Sequence, residues 1–196
     1  MALITVIPPG KAEGRLAKIY RQVKGPGGQV DQVLQVHALR PHTLEGHMAL
    51  YKAVLHHGGN TLPEWFLEAV GVQVSRLNGC TYCDDHHVAG FRKLTEQEGL
   101  PFDALNGALG KDNPGPPFSD AQQAALAYVT KLTRAPASIE ASDISRLRQN
   151  GFNDGEILEI NQVASYFAYA NRTVSGLGVT TEGETLGLSP QSGEGR

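Results

Sequence analysis

The fold class is decided by residues 61–94, which read TLPEWFLEAVGVQVSRLNGCTYCDDHHVAGFRKL. The first four letters have the pattern of a capping box, which predicts a helix with Thr61 as its N-cap. The dipeptide Asn78-Gly79 is a poor place to continue a helix, and asparagine is a favoured N-cap. The segment therefore predicts two consecutive helices, and the second begins at the cysteines, Cys80 and Cys83.

The rest of the chain repeats the helical pattern. Apolar residues recur at helical spacing, and capping or glycine signals bound the runs. The predicted segments are 13–23, 30–39, 44–55, 119–132, 142–148 and a long helix from Asn153. Only residues 3–7 resemble a strand, and a single strand cannot form a sheet. The sequence therefore predicts an all-α fold.

Bulk composition excludes several classes of function. The 196 residues are 40% hydrophobic, which is enough for one domain spanning 1–196 with a continuous core. A net charge of −3 offers no basic surface for nucleic acid or an anionic membrane, and no apolar run approaches the ~18 residues of a membrane span. We expect a cytoplasmic protein. Residues 180–196 are polar and glycine-rich, which predicts a tail or an arm with little to bury.

The two cysteines are the only ones in the chain and stand three residues apart. Residues at i and i+3 of a helix share one face, and a disulfide across so short a loop would stabilise the fold very little. Free N–H groups and the macrodipole of a first helical turn favour a thiolate and lower thiol pKa values below ~8.5. The spacing predicts a redox pair. It also places His87 on the cysteine face and turns His86 about 100° away.

Glu68 lies on a mostly apolar face of the preceding helix, where an unpaired charge would be costly. The break at 78–79 would let this carboxylate meet the cysteine helix and orient His87. Pairing with Arg76 is the alternative. A zinc site is also open, but the sequence has no second Cys/His pair to complete four ligands. His47 is predicted to be a surface residue.

These residues resemble a known family. The pattern E-x6-S-x4-C-x-Y-C-x3-H is similar to the core signature of the alkylhydroperoxidase AhpD-like enzymes, within the carboxymuconolactone decarboxylase superfamily. Its positions here are Glu68, Ser75, Cys80, Tyr82, Cys83 and His87. The NDGEILEI run from Asn153 and the tyrosine variant resemble the uncharacterised peroxidase-related branch, and the likeness covers about 44–177.

The resemblance implies an AhpD-like helical bundle that forms homo-oligomers and reduces hydroperoxides. It implies that the Cys83 thiolate attacks the peroxide, that Cys80 resolves the product, and that His87 and Glu68 form a proton relay. Tyr82 stands where other members often have histidine, and tyrosine cannot shuttle protons near neutral pH as histidine does. The reductant would be a dithiol or a lipoyl-bearing protein. We expect no cofactor and no metal.

Two other classes of function remain open. A redox sensor or disulfide-exchange protein would oxidise its cysteines once without peroxidase turnover. A lyase of the carboxymuconolactone decarboxylase type would use acid–base groups and would not need paired cysteines.

Overall fold

Helices build the fold of this chain, for which a computed structural model describes residues 2–25 and 27–187. Within those ranges no residue is in a β-strand, so the all-α prediction is confirmed, and residues 3–7 are not a strand. The helices are α1 (Gly14–Gln22), α2 (Gln32–Gln35), α3 (Pro41–Leu55), α4 (Glu64–Leu77), α5 (Thr81–Gln97), α6 (Phe102–Ala108), α7 (Asp120–Arg134), α8 (Ala141–Gln149) and α9 (Asp154–Gly176). None of these helices is long and apolar enough to cross a membrane.

Helix α4 is the centre of the molecule. Every residue from Trp65 to Ser75 is buried, as expected for a helix that is apolar on nearly all sides. Helices α5, α7 and α9 pack around it. Gly71 allows α9 to come close, because a Cβ atom there would lie only 2.3 Å from the Cζ atom of Phe167.

The helix starts agree with the sequence at some positions and differ at others. Capping boxes are present at Ser119 and Asn153. The capping box predicted at Thr61 is wrong, because α4 begins at Glu64 with Pro63 as its N-cap. Thr61 instead donates its backbone N–H and its hydroxyl to a carboxylate oxygen of Glu159, at 2.9 and 3.0 Å.

The break between α4 and α5 is a Schellman turn. Gly79 has a φ of +68°, which glycine adopts without strain. Its N–H donates to the carbonyl of Arg76, and the N–H of Cys80 donates to the carbonyl of Ser75. Asn78 is thus the C-cap of α4, and Cys80 is the N-cap of α5. The predicted break is present, and it folds α5 back along α4 so that the two helices pack closely.

The chain after α9 returns to the helix that carries the cysteines. Residues 180–187 are described, while the rest of the predicted tail, 188–196, lies outside the described residues. The hydroxyl of Thr181 donates to Asp85 at 3.2 Å, and the side chain of Gln32 donates to the carbonyl of Glu182 at 3.0 Å. This part of the predicted tail therefore packs against α2 and α5.

Candidate active site

Cys80 and Cys83 lie side by side at the start of α5. Both are free and buried, and their sulfur atoms are 2.8 Å apart. Cys80 is the N-cap residue, and Cys83 is the third residue of the helix. The two thiols are therefore within hydrogen-bonding distance in the first turn, as the spacing predicted.

One negative charge is favoured on this pair, at Cys80. The hydrogen bond from the Cys83 thiol outweighs burial and lowers the pKa of Cys80 to about 6, with further help from Ser175. The same hydrogen bond, together with burial, raises the pKa of Cys83 far above its ordinary range. The hydrogen bond therefore favours the resting charge on Cys80, and the attack by Cys83 that the family resemblance implies stays a prediction.

The buried Glu68 and the half-buried His87 form a pair beside the cysteines. The Nδ1 atom of His87 lies 2.7 Å from a carboxylate oxygen of Glu68, and the Glu68 side chain is only 3% exposed. The ring of Phe167 packs edge-on against His87, with the ring centroids 4.5 Å apart. Arg76 instead binds Asp84 at 2.9 Å. Glu68 is therefore paired with His87 and not with Arg76.

Asn171 connects α9 to the turn and to the cysteines. Its side-chain oxygen accepts a hydrogen bond from the Asn78 amide at 2.9 Å, and its own amide donates to the hydroxyl of Ser75 at 3.2 Å. A hydrogen bond with Cys83 also favours the thiolate form of that residue. Asn171 thus holds three parts of the site together, a role that no local sequence pattern reveals.

A pocket opens in front of Cys83. Its cavity volume is about 70 Å³, and Cys83 lies on its wall while Cys80 does not. Seven of the fourteen described residues on its wall have aromatic or histidine side chains, namely His47, Tyr51, Tyr82, His86, His87, Tyr166 and Phe167. A molecule in the pocket would therefore meet Cys83 first.

His47 corrects the sequence prediction of a surface residue. It is buried in α3, its ring lies on the pocket wall, and its Nε2 atom is 3.4 Å from the hydroxyl of Tyr166. Burial lowers the pKa of His47 to about 4, so its imidazole is neutral at pH 7. His47 therefore adds a neutral polar group to the pocket.

A second histidine–carboxylate pair also borders the pocket. The Nε2 atom of His86 lies 2.8 Å from a carboxylate oxygen of Glu184, which belongs to the segment after α9. The hydroxyl of Tyr82 accepts a hydrogen bond from the N–H of Val33 at 3.2 Å and donates to Glu184. Asp31 lies on the same wall, and burial raises its pKa to about 6. Sequence reasoning missed Glu184 and Asp31 because neither belongs to a motif.

The five predicted site residues thus fall into two groups. Cys80, Cys83, His87 and Glu68 come together around the thiols. Tyr82 lies in the same pocket but bonds to α2 and to the segment after α9. No cluster of three or more His, Cys, Asp or Glu side chains in residues 2–25 and 27–187 is arranged to hold a metal ion.

Solved structures similar to this chain include two peroxidase-related proteins and a debrominase. No family model matches the chain, and no curated protein matches it. An uncharacterised peroxidase-related protein from Ralstonia eutropha JMP134, described as an alkylhydroperoxidase AhpD core, has a TM-score of 0.76 at 23% identity and covers 91% of each chain. A cysteine-to-alanine variant of the debrominase Bmp8, in complex with 2,3,4-tribromopyrrole, has a TM-score of 0.66 at 15% identity, over 93% of this chain and 95% of the debrominase.

The second peroxidase-related protein is more similar in sequence. This uncharacterised protein from Silicibacter sp. TM1040 is 31% identical to the chain, with a TM-score of 0.68, over 78% of this chain and 77% of the other. An identity of 31% over most of both chains indicates a common family and not only a common fold. The chain therefore belongs to the alkylhydroperoxidase AhpD-like superfamily, alongside its peroxidase-related proteins.

Proposed function

We propose that this protein reduces small organic hydroperoxides with the thiols of Cys80 and Cys83. The observation that carries the proposal is the pair itself, two free thiols 2.8 Å apart with one of them on the wall of a pocket. A thiolate is the reactive form of cysteine, and the lowered pKa of Cys80 supplies one negative charge to the pair at pH 7.

The proposed reaction begins with a proton transfer within the pair. The proton of Cys83 passes to the Cys80 thiolate, which leaves the negative charge on the sulfur that faces the pocket. This sulfur attacks the terminal peroxide oxygen, the O–O bond breaks, and the alkoxide leaves as an alcohol after taking a proton. Cys83 is then a sulfenic acid.

The second half of the reaction closes the disulfide. The Cys80 sulfur attacks Cys83, an S–S bond forms, and the sulfenic oxygen leaves as water. Two electrons have passed from the thiols to the peroxide. An external dithiol, for example a lipoyl-type reductant, must then reduce the disulfide by thiol–disulfide exchange before a second turnover.

The Glu68–His87 pair is proposed to manage the protons of these steps. His87 is the next titratable group after Cys83 on the same helix face and also lies on the pocket wall. Glu68 accepts a hydrogen bond from Nδ1 of His87 and so leaves Nε2 to exchange a proton. In this role His87 is the proton carrier and Glu68 is the residue that positions it.

The test is steady-state reduction of cumene hydroperoxide with dihydrolipoamide in excess, after removal of metal ions. Wild type should complete many turnovers, and Cys83→Ser should lose them because the attacking sulfur is gone. Glu68→Gln should lower the rate at least about tenfold, as expected for loss of acid–base assistance. Glu64→Gln removes the same charge from the exposed start of the same helix and should leave the rate unchanged.

The outcomes separate the alternatives. If wild type forms one disulfide per chain and then stops, even with the dithiol present, the protein is a redox sensor and the enzymatic proposal is wrong. If wild type does not react with the peroxide at all, the thiols serve another substrate.

Thiol-dependent dehalogenation of a small aromatic compound is a second candidate. The aromatic side chains on the pocket wall at Cys83 favour it, and the debrominase with a similar fold binds a brominated pyrrole. Two thiols would become a disulfide while a carbon–bromine bond becomes a carbon–hydrogen bond with release of bromide. Bromide release from 2,3,4-tribromopyrrole in the presence of the dithiol would support this reaction, and its absence would count against it.

A further inference from the structure

The chain that follows α9 forms part of the pocket. Gly187 lies on the pocket wall, although it is more than a hundred residues after Cys83. A Cβ atom on Gly187 would lie 2.7 Å from the Cβ atom of Ala89, so this part of the chain touches α5 directly. We call residues 181–187 the strap.

Glu184 is the main attachment of the strap. Its side chain is only 8% exposed, and its carboxylate accepts hydrogen bonds from the backbone N–H of Gln32 and from His86. It also accepts one from the hydroxyl of Tyr82. A single carboxylate therefore connects the strap to α2 and to two side chains of the pocket wall.

The charge of Glu184 is maintained inside the protein. Burial raises the pKa of a carboxyl group, but here the hydrogen bonds from His86, Gln32 and Tyr82 outweigh burial and lower the pKa of Glu184. Glu184 is therefore a carboxylate at pH 7. Hydrogen bonds to a charged group are stronger than those between neutral groups, and Glu184 accepts three of them, whereas Thr181 makes one with Asp85.

We propose that the strap is the outer wall of the cysteine pocket and that Glu184, as its positioning residue, determines the size of the molecule that reaches Cys83. The inference rests on the proposed function in one respect, that Cys83 is the reacting atom. Small hydroperoxides pass the strap, and bulky ones do not. Releasing Glu184 opens the pocket to larger molecules without changing the thiols.

Alkylation of the reduced full chain tests this directly. Wild type should react with N-ethylmaleimide much faster than with a maleimide that carries a fluorescein group. In Glu184→Ala the rate with the bulky reagent should rise about tenfold or more, which is the fold-change expected for loss of a charge-assisted hydrogen bond. The rate with N-ethylmaleimide should change much less. Mass spectrometry of the digested protein assigns the label to Cys83 or Cys80.

Two further variants make the test specific. Glu182→Ala removes the same charge two residues earlier, from an exposed side chain, and should leave both rates at the wild-type values. Gly187→Ala places a Cβ atom against Ala89, at a residue with a φ of +70°. This should displace the end of the strap and so also raise the rate of alkylation by the bulky maleimide. Thermal unfolding of each variant shows whether the helices remain folded.

The results decide the inference whether or not the protein is a peroxidase, because alkylation needs no turnover. The inference would be overturned if folded Glu184→Ala and Gly187→Ala react with the bulky maleimide at the wild-type rate. An equal rise in Glu182→Ala would also overturn it. If the alkylation rates change as expected but neither wild type nor any variant turns over hydroperoxide, the inference about the strap holds and the peroxidase proposal is wrong. Should Glu184→Ala fail to fold, Gly187→Ala alone decides the outcome.

Discussion

Replacing Cys83 by alanine removes the hydrogen bond that most strongly stabilises the Cys80 thiolate. The wild-type pair should release one proton with a midpoint at about pH 6 and no second proton near neutral pH. A hydrogen bond to a charged group contributes about 1.5–3 kcal/mol, and one pKa unit corresponds to about 1.4 kcal/mol. The midpoint in Cys83→Ala should therefore rise by about one to two units.

Thiolate absorbance in the ultraviolet, followed against pH in the reduced protein, measures this midpoint. Cys80→Ala is the matched variant, because it removes the other half of the same hydrogen bond. There the pKa of Cys83 should fall from its wild-type value and yet stay above the ordinary thiol range, since burial remains. A midpoint still at about pH 6 in Cys83→Ala would refute the reasoning, as would release of two protons by wild type near neutral pH.

Three more expectations concern stability. Gly71→Ala forces a methyl group against the Phe167 ring and should lower the free energy of unfolding by about 1–3 kcal/mol. Gly46→Ala, on an open helix surface, should raise the free energy of unfolding by about 0.5–1 kcal/mol, and urea denaturation measures both changes. Gln73→Leu removes a buried amide that bonds a hydroxyl and two backbone groups, and should cost about 2–4 kcal/mol by the same method; a loss below about 1 kcal/mol would contradict this. The folded-state pKa of Cys80 is lowered to about 6, so its contribution to stability is fully present above the ordinary thiol pKa and is lost as the pH falls through 6. The stability difference between reduced wild type and Cys80→Ala should therefore increase between about pH 6 and 9, and a flat difference would count against the thiolate.

The part of the site that sequence predicts well is local. Cys80 and Cys83 share a helix face because of their spacing, and the break at Asn78-Gly79 follows from the poor helix propensity of glycine. The meeting of Glu68 with the cysteine helix follows in turn from that break. Each step uses contacts between residues close in sequence or on adjoining helices.

The part that sequence misses depends on distant contacts. The residues from Thr61 satisfy the local rule for a capping box, but the N–H of Thr61 donates to Glu159 of α9 instead, and α4 begins later, at Glu64. Glu184 stands in a polar, glycine-rich run that predicts exposure, yet three groups from α2 and α5 offset the cost of burying its charge. Helix α6 (Phe102–Ala108) is not predicted from the sequence. It is only seven residues long, and it packs against α5.

The position of Glu184 in the chain also affects the order in which the protein becomes complete during synthesis. The thiols and the Glu68–His87 pair leave the ribosome about a hundred residues before the strap does. At translation speeds of about 5–20 residues per second, this interval is on the order of 5–20 seconds. For most of this interval α9 and its pocket residues are also still to be made, so a nascent chain carries its two thiols with neither α9 nor the strap to cover them.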